Sequence, residues 1–344
     1  MRNIYFLINS LSSRSGAERV ACQLANEFVK KGYQIIFYNR NTERGDVSFP
    51  LNEAVEVISF NNSLLKMGLA LNKLNKDDIL IIHNMGRLSI FSLLFNLKCK
   101  VVCLEHGPFF AKPHFIQWFT KKLYRRVDQI ITITHKDALN YKKFCAESGV
   151  EAIYNSSPFN SSFVNYNENS KRIIAVGRLA EEKNFNALIE AWSNIASKYQ
   201  DWVLEIYGDG PLKNDLNNLI YKNNLKNIKI FPNTPNILDV YKNSSFLVLT
   251  SKFEGLGMVL IEAQSSGLPL VAFDCPYGPS EIINNNENGL LVKNGDVLEL
   301  SSMMEKMIIS PELRRILSYN AFSSSKRFST NEILSKWDKV LNKL

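Results

Sequence analysis

Short apolar or β-branched runs alternate with segments of helical periodicity along the whole chain. This alternation is typical of βαβ units, in which each helix carries the chain back to begin the next parallel strand. A stretch rich in Asn and Ser at 155–170 divides the pattern and is typical of a linker. The sequence therefore predicts an α/β protein with two doubly wound domains. The predicted strands are 4–9, 34–38, 55–60, 79–83, 100–104 and 129–133 before the linker, and 172–176, 203–207, 228–231, 246–249, 269–273 and 290–292 after it.

The domain boundaries follow from this pattern. We expect a first domain over 1–160, a second over 161–325 and a C-terminal helix over 326–344, and 344 residues suit two domains of ordinary size. Near the end of the chain, apolar residues recur at helical spacing, which indicates an amphipathic helix that packs back on the first domain or caps the second. The residues of that apolar face are Ile333, Leu334, Trp337, Val340 and Leu341.

The apolar runs and the cysteines indicate a cytoplasmic protein. No run reaches the roughly 20 apolar residues that span a bilayer, and the run at 4–8 is too short for the core of a signal peptide. The five cysteines include no Cys-x-x-Cys pair, which is typical of reduced, buried thiols and not of a metal site. A peripheral position at the inner face of the cytoplasmic membrane stays open.

The positive charge lies entirely in the first half of the chain. Residues 1–165 contain 21 Lys and Arg against 13 Asp and Glu, whereas 166–344 contain 20 of each, so the first half carries the whole net charge of +8. A basic half predicts an anionic partner, such as lipid head groups, phosphates or nucleic acid. Because no nucleic-acid-binding motif accompanies the charge, we expect no nucleic-acid partner.

A basic and aromatic segment at 112–126 concentrates this charge. It predicts a helix that lies on an anionic membrane, where each basic residue contributes about 1 kcal/mol and aromatic rings settle among the head groups. The alternative is a helix whose aromatic residues pack into the core while its charges are solvated. The residues on the membrane or acceptor side would be Trp118, Lys121, Lys122, Arg125 and Arg126.

A glycine-rich segment follows the predicted strand 246–249. Gly255 and Gly257 allow a tight turn that presents bare N–H groups at the start of a helix, where anions bind. Glu254 precedes this helix and Glu262 lies inside it, and carboxylates accept hydrogen bonds from sugar hydroxyls. The segment therefore predicts a site for an anionic sugar derivative.

A second charged segment follows the predicted strand 172–176. There Gly177 precedes Arg178 and Lys183, whose cations could together neutralise a pyrophosphate. Alternatively, these charges are solvated at the start of a helix, since the two glutamates between them suit a first helical turn.

Six short segments, taken in their order and spacing, resemble the family 4 retaining glycosyltransferases, which have two Rossmann-like domains facing each other across a cleft (GT-B). The last segment is common in members that build bacterial surface polysaccharides. One departure is Ser15, where many members have glycine. The segments are SGAER at 15–19, LEH at 104–106, GRLAEEK at 177–183, GDGP at 208–211, EGLGMVLIEA at 254–263 and CPYGPSEII at 275–283.

The resemblance implies a role for each matched residue. Arg178 and Lys183 would hold the diphosphate of a nucleotide-sugar donor, Glu262 its ribose and Glu254 the hydroxyls of its sugar. His106 would lie beside the reacting face of the sugar and would complete the catalytic set of His106, Glu254, Arg178 and Lys183; a histidine packed at a strand end is the alternative. The other positions implied at the donor are Gly16, Gly177, Gly208, Gly255, Leu256, Gly257, Met258 and Val259.

The implied reaction is a metal-independent transfer with retention of configuration. No Asp-x-Asp occurs in the chain, so the usual metal clamp is missing, and two cations would stabilise the leaving diphosphate instead. We expect a hexose or N-acetylhexosamine to pass from a UDP-sugar, UDP being the commoner nucleotide in similar enzymes, to a lipid-linked saccharide acceptor in surface polysaccharide assembly. The motifs fix neither the sugar nor the acceptor nor the oligomeric state.

Three other functions share parts of this plan. A dehydrogenase needs G-x-G-x-x-G after a strand, and the first strand is followed by no such spacing. A hydrolysing nucleotide-sugar epimerase has the same two domains and would release the nucleotide without an acceptor. A two-lobed sugar-binding protein would bind its ligand without turnover.

Overall fold

The chain folds into two compact domains. The first comprises Met1–Asn155 together with Ile333–Leu344, and the second comprises Ser156–Glu332. The boundary falls inside the predicted linker, of which residues 160–165 lie outside the described part of the chain. The residues described by this computed structural model are 2–13, 15–84, 86–145, 149–159 and 166–344.

Seven strands build the sheet of the first domain. They are β1 (Asn3–Ile8), β2 (Gln34–Asn39), β3 (Glu56–Ser59), β4 (Ile79–Asn84), β5 (Lys100–Glu105), β6 (Gln129–Thr132) and β7 (Gly149–Ala152). Their order is β3-β2-β1-β4-β5-β6-β7, and every pair is parallel. The helices that connect them are α1 (Gly16–Lys30), α2 (Leu64–Leu71), α3 (Arg87–Ser92), α4 (His114–Leu123) and α5 (His135–Lys142).

The predicted strands of this half are all present, but β7 was missed. It is a four-residue edge strand that pairs only with β6, and its sequence is GVEA. Glycine and glutamate are depleted in strands, so no β-branched run marked it. The predicted helix at 112–126 is also shorter than expected, because α4 begins only after Pro113 and residues Tyr124–Arg126 form a 3-10 turn.

The second domain repeats the same plan with six parallel strands. They are β8 (Arg172–Val176), β9 (Val203–Tyr207), β10 (Ile228–Phe231), β11 (Phe246–Leu249), β12 (Leu270–Asp274) and β13 (Leu290–Lys293), in the order β10-β9-β8-β11-β12-β13. The helices are α6 (Phe185–Ser193), α7 (Lys213–Lys222), α8 (Ile237–Lys242), α9 (Met258–Ser265), α10 (Pro279–Ile282), α11 (Val297–Ile309) and α12 (Pro311–Ser325). In both domains the sheet is wholly parallel and doubly wound, which confirms the predicted α/β fold class.

The central strands are buried because helices cover both faces of each sheet. All four residues of β6 and of β11 are buried, as expected for the near-continuous apolar runs of parallel sheets. The carboxyl ends of strands that lie side by side therefore form one edge per sheet, where open parallel sheets bind their ligands.

The last helix, α13 (Thr330–Lys343), packs on the first domain. All five residues of its predicted apolar face are buried. The Trp337 ring meets the Phe28 ring of α1 with centroids 5.9 Å apart, and Lys343 Nζ lies 2.7 Å from Oε1 of Glu151 in β7. The first domain is therefore completed by α13. Among the described residues, none of the helices has the length and apolar character needed to cross a membrane.

Candidate functional site

Three loops meet at the carboxyl edge of the second sheet. They follow β8, β11 and β12, which lie side by side. The loop after β12 packs tightly on the loop after β11, because a Cβ atom at Gly278 would lie 2.7 Å from the Leu256 carbonyl oxygen. Gly278 also has φ 72°, so both the close contact and the backbone conformation favour glycine at this position. The edge thus brings together segments that are almost 100 residues apart in the sequence.

An ion pair joins two of these loops. Lys183 Nζ lies 2.6 Å from Glu254 Oε1, and the Ser251 hydroxyl donates to the same oxygen at 2.6 Å. The two charged side chains are 21% and 10% exposed, so the pair is only partly solvated. The sequence assigns Lys183 to a phosphate and Glu254 to a sugar, and the structure places the two groups in direct contact. Both would reach one ligand.

Arg178, the other predicted cation, is exposed. Within the part of the chain that the structure describes, no hydrogen bond or ion pair is found for its guanidinium. A free guanidinium in the same loop as a half-buried lysine is well suited to diphosphate oxygens, since its fork of donors is not already occupied.

The glycines after β8 and β9 have a packing role. A Cβ atom at Gly208 would lie 1.9 Å from the Gly177 carbonyl oxygen, so the two loops approach as closely as backbone allows. The N–H of Gly177 donates to Tyr207 O at 3.0 Å, and that of Gly208 donates to Phe231 O at 2.9 Å. These two N–H groups are therefore already hydrogen-bonded within the protein. The predicted contact of either glycine with a nucleotide-sugar donor would have to be made by another atom of the glycine.

The start of α9 offers free donors. Gly257 precedes it with φ 86°, and the helix begins at Met258. The first N–H groups of a helix have no intrahelical partner and lie at its positive end. Gly255, Met258 and Val259 are half-buried at this end, while Leu256 is buried beneath it. The contact of 255–259 with a donor stays a prediction.

Glu262 lies one turn further along α9 and is 5% exposed. The Tyr241 hydroxyl, on α8, donates to Glu262 Oε2 at 2.9 Å. The carboxylate is thus held in place by a residue that the sequence did not single out. A ribose at Glu262 would share this carboxylate with Tyr241.

The first domain contains a cavity of about 580 Å³ at the carboxyl ends of β1, β4 and β5. Its lining combines apolar side chains such as Leu88 and Phe91 with the polar His83, His106 and Arg40. The start of α1 also lines it, next to the exposed Gly16, where an added Cβ would have nothing within 4 Å. Two segments predicted separately, SGAER and LEH, therefore reach the same cavity.

His106 is paired with a second histidine, His83, which sequence reasoning missed. His83 Nδ1 and His106 Nε2 are 3.2 Å apart, and the two rings are stacked at 23°. Burial lowers the pKa of His106 to about 4, and burial together with the neighbouring imidazole lowers the pKa of His83 well below its usual value. Both rings are neutral at pH 7. The sequence did contain a signal for this pair, because His83 stands at the end of the predicted strand 79–83 just as His106 follows the predicted strand 100–104.

A buried ion pair anchors the loop that carries His106. Lys112 Nζ lies 2.8 Å from Glu105 Oε2 and also donates to the Tyr141 hydroxyl at 2.6 Å. The Tyr124 hydroxyl donates to Glu105 Oε1. The two charged side chains are 3% and 0% exposed. Glu105 lies one residue before His106, and Lys112 lies one residue before Pro113. Their ion pair therefore fixes both ends of the segment between β5 and α4.

The aromatic residues of α4 lie on its exposed face, and other residues of the helix face the core. Trp118 is 51% exposed and Phe115 57% exposed, whereas Ile116 and Thr120 face the core. Lys122 Nζ lies 3.9 Å above the Trp118 ring, and the neighbouring Lys121 is also exposed. Arg125 and Arg126 follow in the 3-10 turn. The alternative in which all these aromatic residues pack inward is therefore wrong for α4.

Family models match both halves of the chain. The model "Glycosyltransferase Family 4" matches residues 14–156, and "Glycosyl transferases group 1" matches residues 157–324. Together they cover the first domain up to the linker and nearly all of the second domain.

Curated relatives and solved structures align over almost the full length. The amylovoran biosynthesis glycosyltransferase AmsD of Erwinia amylovora is 29% identical over 357 residues, covering 99% of this chain and 100% of AmsD. TarM of S. aureus, in complex with UDP, superposes with a TM-score of 0.85 at 16% identity, covering 99% of this chain and 100% of that chain. HepE of Anabaena, also in complex with UDP, gives a TM-score of 0.82 at 17% identity over 99% and 100%. The chain therefore belongs to the two-domain GT-B glycosyltransferases, with a Family 4 first half and a group 1 second half.

Proposed function

We propose that this enzyme moves a hexose or N-acetylhexosamine from a UDP-sugar to a lipid-linked saccharide during surface polysaccharide assembly, with retention and without a metal ion. The observation that carries the proposal is the contact of Lys183 with Glu254, which joins the loop that also carries Arg178 to the loop that leads into α9. Cations for a diphosphate and a carboxylate for sugar hydroxyls are thereby assembled at one sheet edge.

Each of these groups has a definite task in the reaction. Arg178 and Lys183 stabilise the charge that develops on the leaving diphosphate, and the free N–H groups at the start of α9 add positive potential. Glu254 orients the sugar through its hydroxyls, and Glu262 holds the ribose. These groups supply electrostatic stabilisation to an oxocarbenium-like transition state without forming a bond to the sugar.

Bond changes in this reaction occur on one face of the sugar. The bond between the anomeric carbon and the diphosphate oxygen breaks, and its electron pair stays on that oxygen. The acceptor hydroxyl forms the new bond to the anomeric carbon on the same face, and its proton passes to a leaving phosphate oxygen. The chain has no Asp-x-Asp, so the two cations take the place of a metal clamp.

Relatives support the choice of substrates. A Campylobacter jejuni protein, 25% identical over 360 residues (99% of this chain, 98% of that protein), is named as an N-acetylgalactosaminyltransferase that acts on a diphospho-undecaprenol-linked saccharide. AmsD is named for amylovoran biosynthesis, and two structural neighbours contain UDP.

Nucleotide binding and product analysis test the proposal. UDP at 100 times its Kd adds about 2.7 kcal/mol to the stability of the folded state, which we expect to raise Tm by roughly 5–10 °C. With UDP-sugars and lipid-linked acceptors, we expect a product whose anomeric configuration matches the donor, at an unchanged rate in EDTA. Inversion or loss of turnover in EDTA would contradict the mechanism. Release of UDP without an acceptor would indicate the epimerase, and binding without turnover the sugar-binding protein.

A membrane-facing surface on the first domain fits a lipid-linked acceptor. Between Ile79 and Val127 the only acidic residue is Glu105, which is buried and paired with Lys112. The exposed side chains of α4 are therefore aromatic or basic. On α2 of the same domain, Leu65 and Leu69 are 69% and 54% exposed. Apolar side chains interleaved with cations, without acidic residues, suit an anionic bilayer surface.

Flotation with vesicles tests this surface. We expect binding to vesicles that contain anionic phosphatidylglycerol at low salt, and about 30-fold weaker binding when Lys121 and Lys122 are both replaced by glutamine, since each cation contributes about 1 kcal/mol and every 1.4 kcal/mol is tenfold in affinity. Replacement of Lys213 and Lys222 on α7 of the second domain by glutamine is the matched control and leaves binding unchanged. Equal recovery with neutral and anionic vesicles, or no recovery with either, would contradict the proposal that this surface binds an anionic membrane.

A further inference from the structure

His83 and His106 stand at the carboxyl ends of the neighbouring strands β4 and β5, and both line the cavity of the first domain. Their facing nitrogens, His83 Nδ1 and His106 Nε2, are 3.2 Å apart. A neutral imidazole has one N–H donor and one bare nitrogen acceptor. Between two neutral rings one nitrogen donates and the other accepts, so the direction of this hydrogen bond sets the tautomer of both rings.

The surroundings of His83 favour one direction. Its Nε2 is buried and has no hydrogen-bond partner among the described residues, and the centroids of the His83 and Phe6 rings lie 4.8 Å apart. If His83 accepted at Nδ1, its Nε2 would have to carry a buried N–H without a partner. Orphaned buried N–H groups are rarer in proteins than unpaired acceptors, and an N–H···π contact with Phe6 is a weak replacement. Donation from His83 Nδ1 avoids this cost.

We propose that His83 is a positioning residue that donates from Nδ1 to His106 Nε2 and so holds His106 in the tautomer with its proton on Nδ1. The nitrogen of His106 that is left without a protein partner in the described chain is then an N–H donor. In the enzyme proposed above, on which this step rests, that N–H donates to an oxygen of the substrate.

This direction excludes His106 as a base. Its acceptor nitrogen is occupied by His83, and its other nitrogen already carries a proton. The proton of the acceptor hydroxyl therefore has no place on His106 and goes to the leaving phosphate oxygen, as the same-face reaction requires. His106 contributes as a fixed, uncharged donor that stabilises negative charge on an oxygen.

NMR of the ligand-free protein tests the tautomer without any substrate. The chain has four histidines, so ¹⁵N-histidine labelling gives four imidazoles, and His106→Gln identifies the signals of His106. At pH 7 we expect His106 to show a protonated Nδ1 and a bare Nε2. A protonated Nε2, or an averaged mixture of tautomers, would overturn the proposal whatever the enzyme transfers.

Two substitutions at His83 test the positioning role. Leucine removes the donor from a buried site at similar volume, whereas the glutamine side chain can donate to His106 Nε2. We expect His83→Leu to give mixed His106 tautomers and to lower kcat about 10- to 100-fold, as loss of a histidine-orienting partner does elsewhere, with a smaller change in the KM for the donor. His83→Gln keeps the single tautomer and most of kcat, and the exposed His135→Gln is the matched control. Mixed tautomers in His83→Leu with wild-type kcat would overturn the positioning role.

Discussion

Replacement of Lys183 by alanine lowers kcat/KM for sugar transfer by about 10²- to 10³-fold, the range measured when one preorganised electrostatic group is removed from a transition state. The substitution removes a cation from the leaving diphosphate and leaves the Glu254 carboxylate, 10% exposed, without its ion-pair partner. We also expect the stabilisation of the protein by UDP to fall. Initial rates over a range of donor concentrations and thermal unfolding with UDP measure the two effects.

Lys252→Ala is the matched control for this experiment. Lys252 lies in the same domain and pairs with Glu181 at 3.4 Å, but both side chains are more than half exposed. Such a pair contributes little, so we expect kcat/KM within about twofold of the wild type. If Lys183→Ala folds normally and transfers sugar as fast as Lys252→Ala, the assignment of the donor site to this edge of the second sheet is wrong.

Replacement of Lys112 by methionine lowers the free energy of unfolding of the first domain by about 3–5 kcal/mol, because it leaves the fully buried Glu105 without its partner. Methionine keeps the volume of the side chain, so the loss is electrostatic and not a cavity effect. Urea unfolding followed by circular dichroism measures the change. We expect activity to fall as well, since the loop that carries His106 is fixed by this pair.

Two further variants separate the ion pair from general damage. The double variant Lys112→Met with Glu105→Gln removes both charges and should recover most of the lost stability, because replacing both partners of a buried pair is often close to neutral. Lys100→Met breaks the more exposed contact with Asp128, at 2.9 Å, and should cost less than about 1 kcal/mol. A Lys112→Met protein as stable as Lys100→Met would show that Glu105 is not held by Lys112.

The strand pattern could be predicted because each strand is a local signal. Parallel strands buried on both faces are near-continuous apolar runs. Apolar or β-branched runs predicted twelve of the thirteen strands among the described residues. The exception is β7, whose GVEA sequence gains its conformation from pairing with β6 and not from its own composition. Edge pairing of this kind depends on contacts that no window of sequence contains.

The candidate site shows the same division between local and distant information. Glycine and charge at strand ends pointed to the segments around Lys183 and Glu254, but their ion pair joins residues 71 positions apart. Tyr241 could not be recognised, because a tyrosine on an amphipathic helix is usually a core residue and its bond to Glu262 is tertiary. Lys112 appeared to be one more surface cation of a basic segment. Only its tertiary contacts with Glu105 and Tyr141 show that it is a buried group.

The chain order of the two domains has a consequence for biosynthesis. Because residues 333–344 belong to the first domain, the second domain is an insertion within it. On the ribosome, the second domain can finish folding while the first still lacks α13, and the contact of Phe28 with Trp337 can form only after the whole second domain has been synthesised. A nascent chain stalled before residue 333 would expose the apolar surface of α1 to chaperones and proteases. The first domain is therefore complete only after the whole of the second domain has been synthesised.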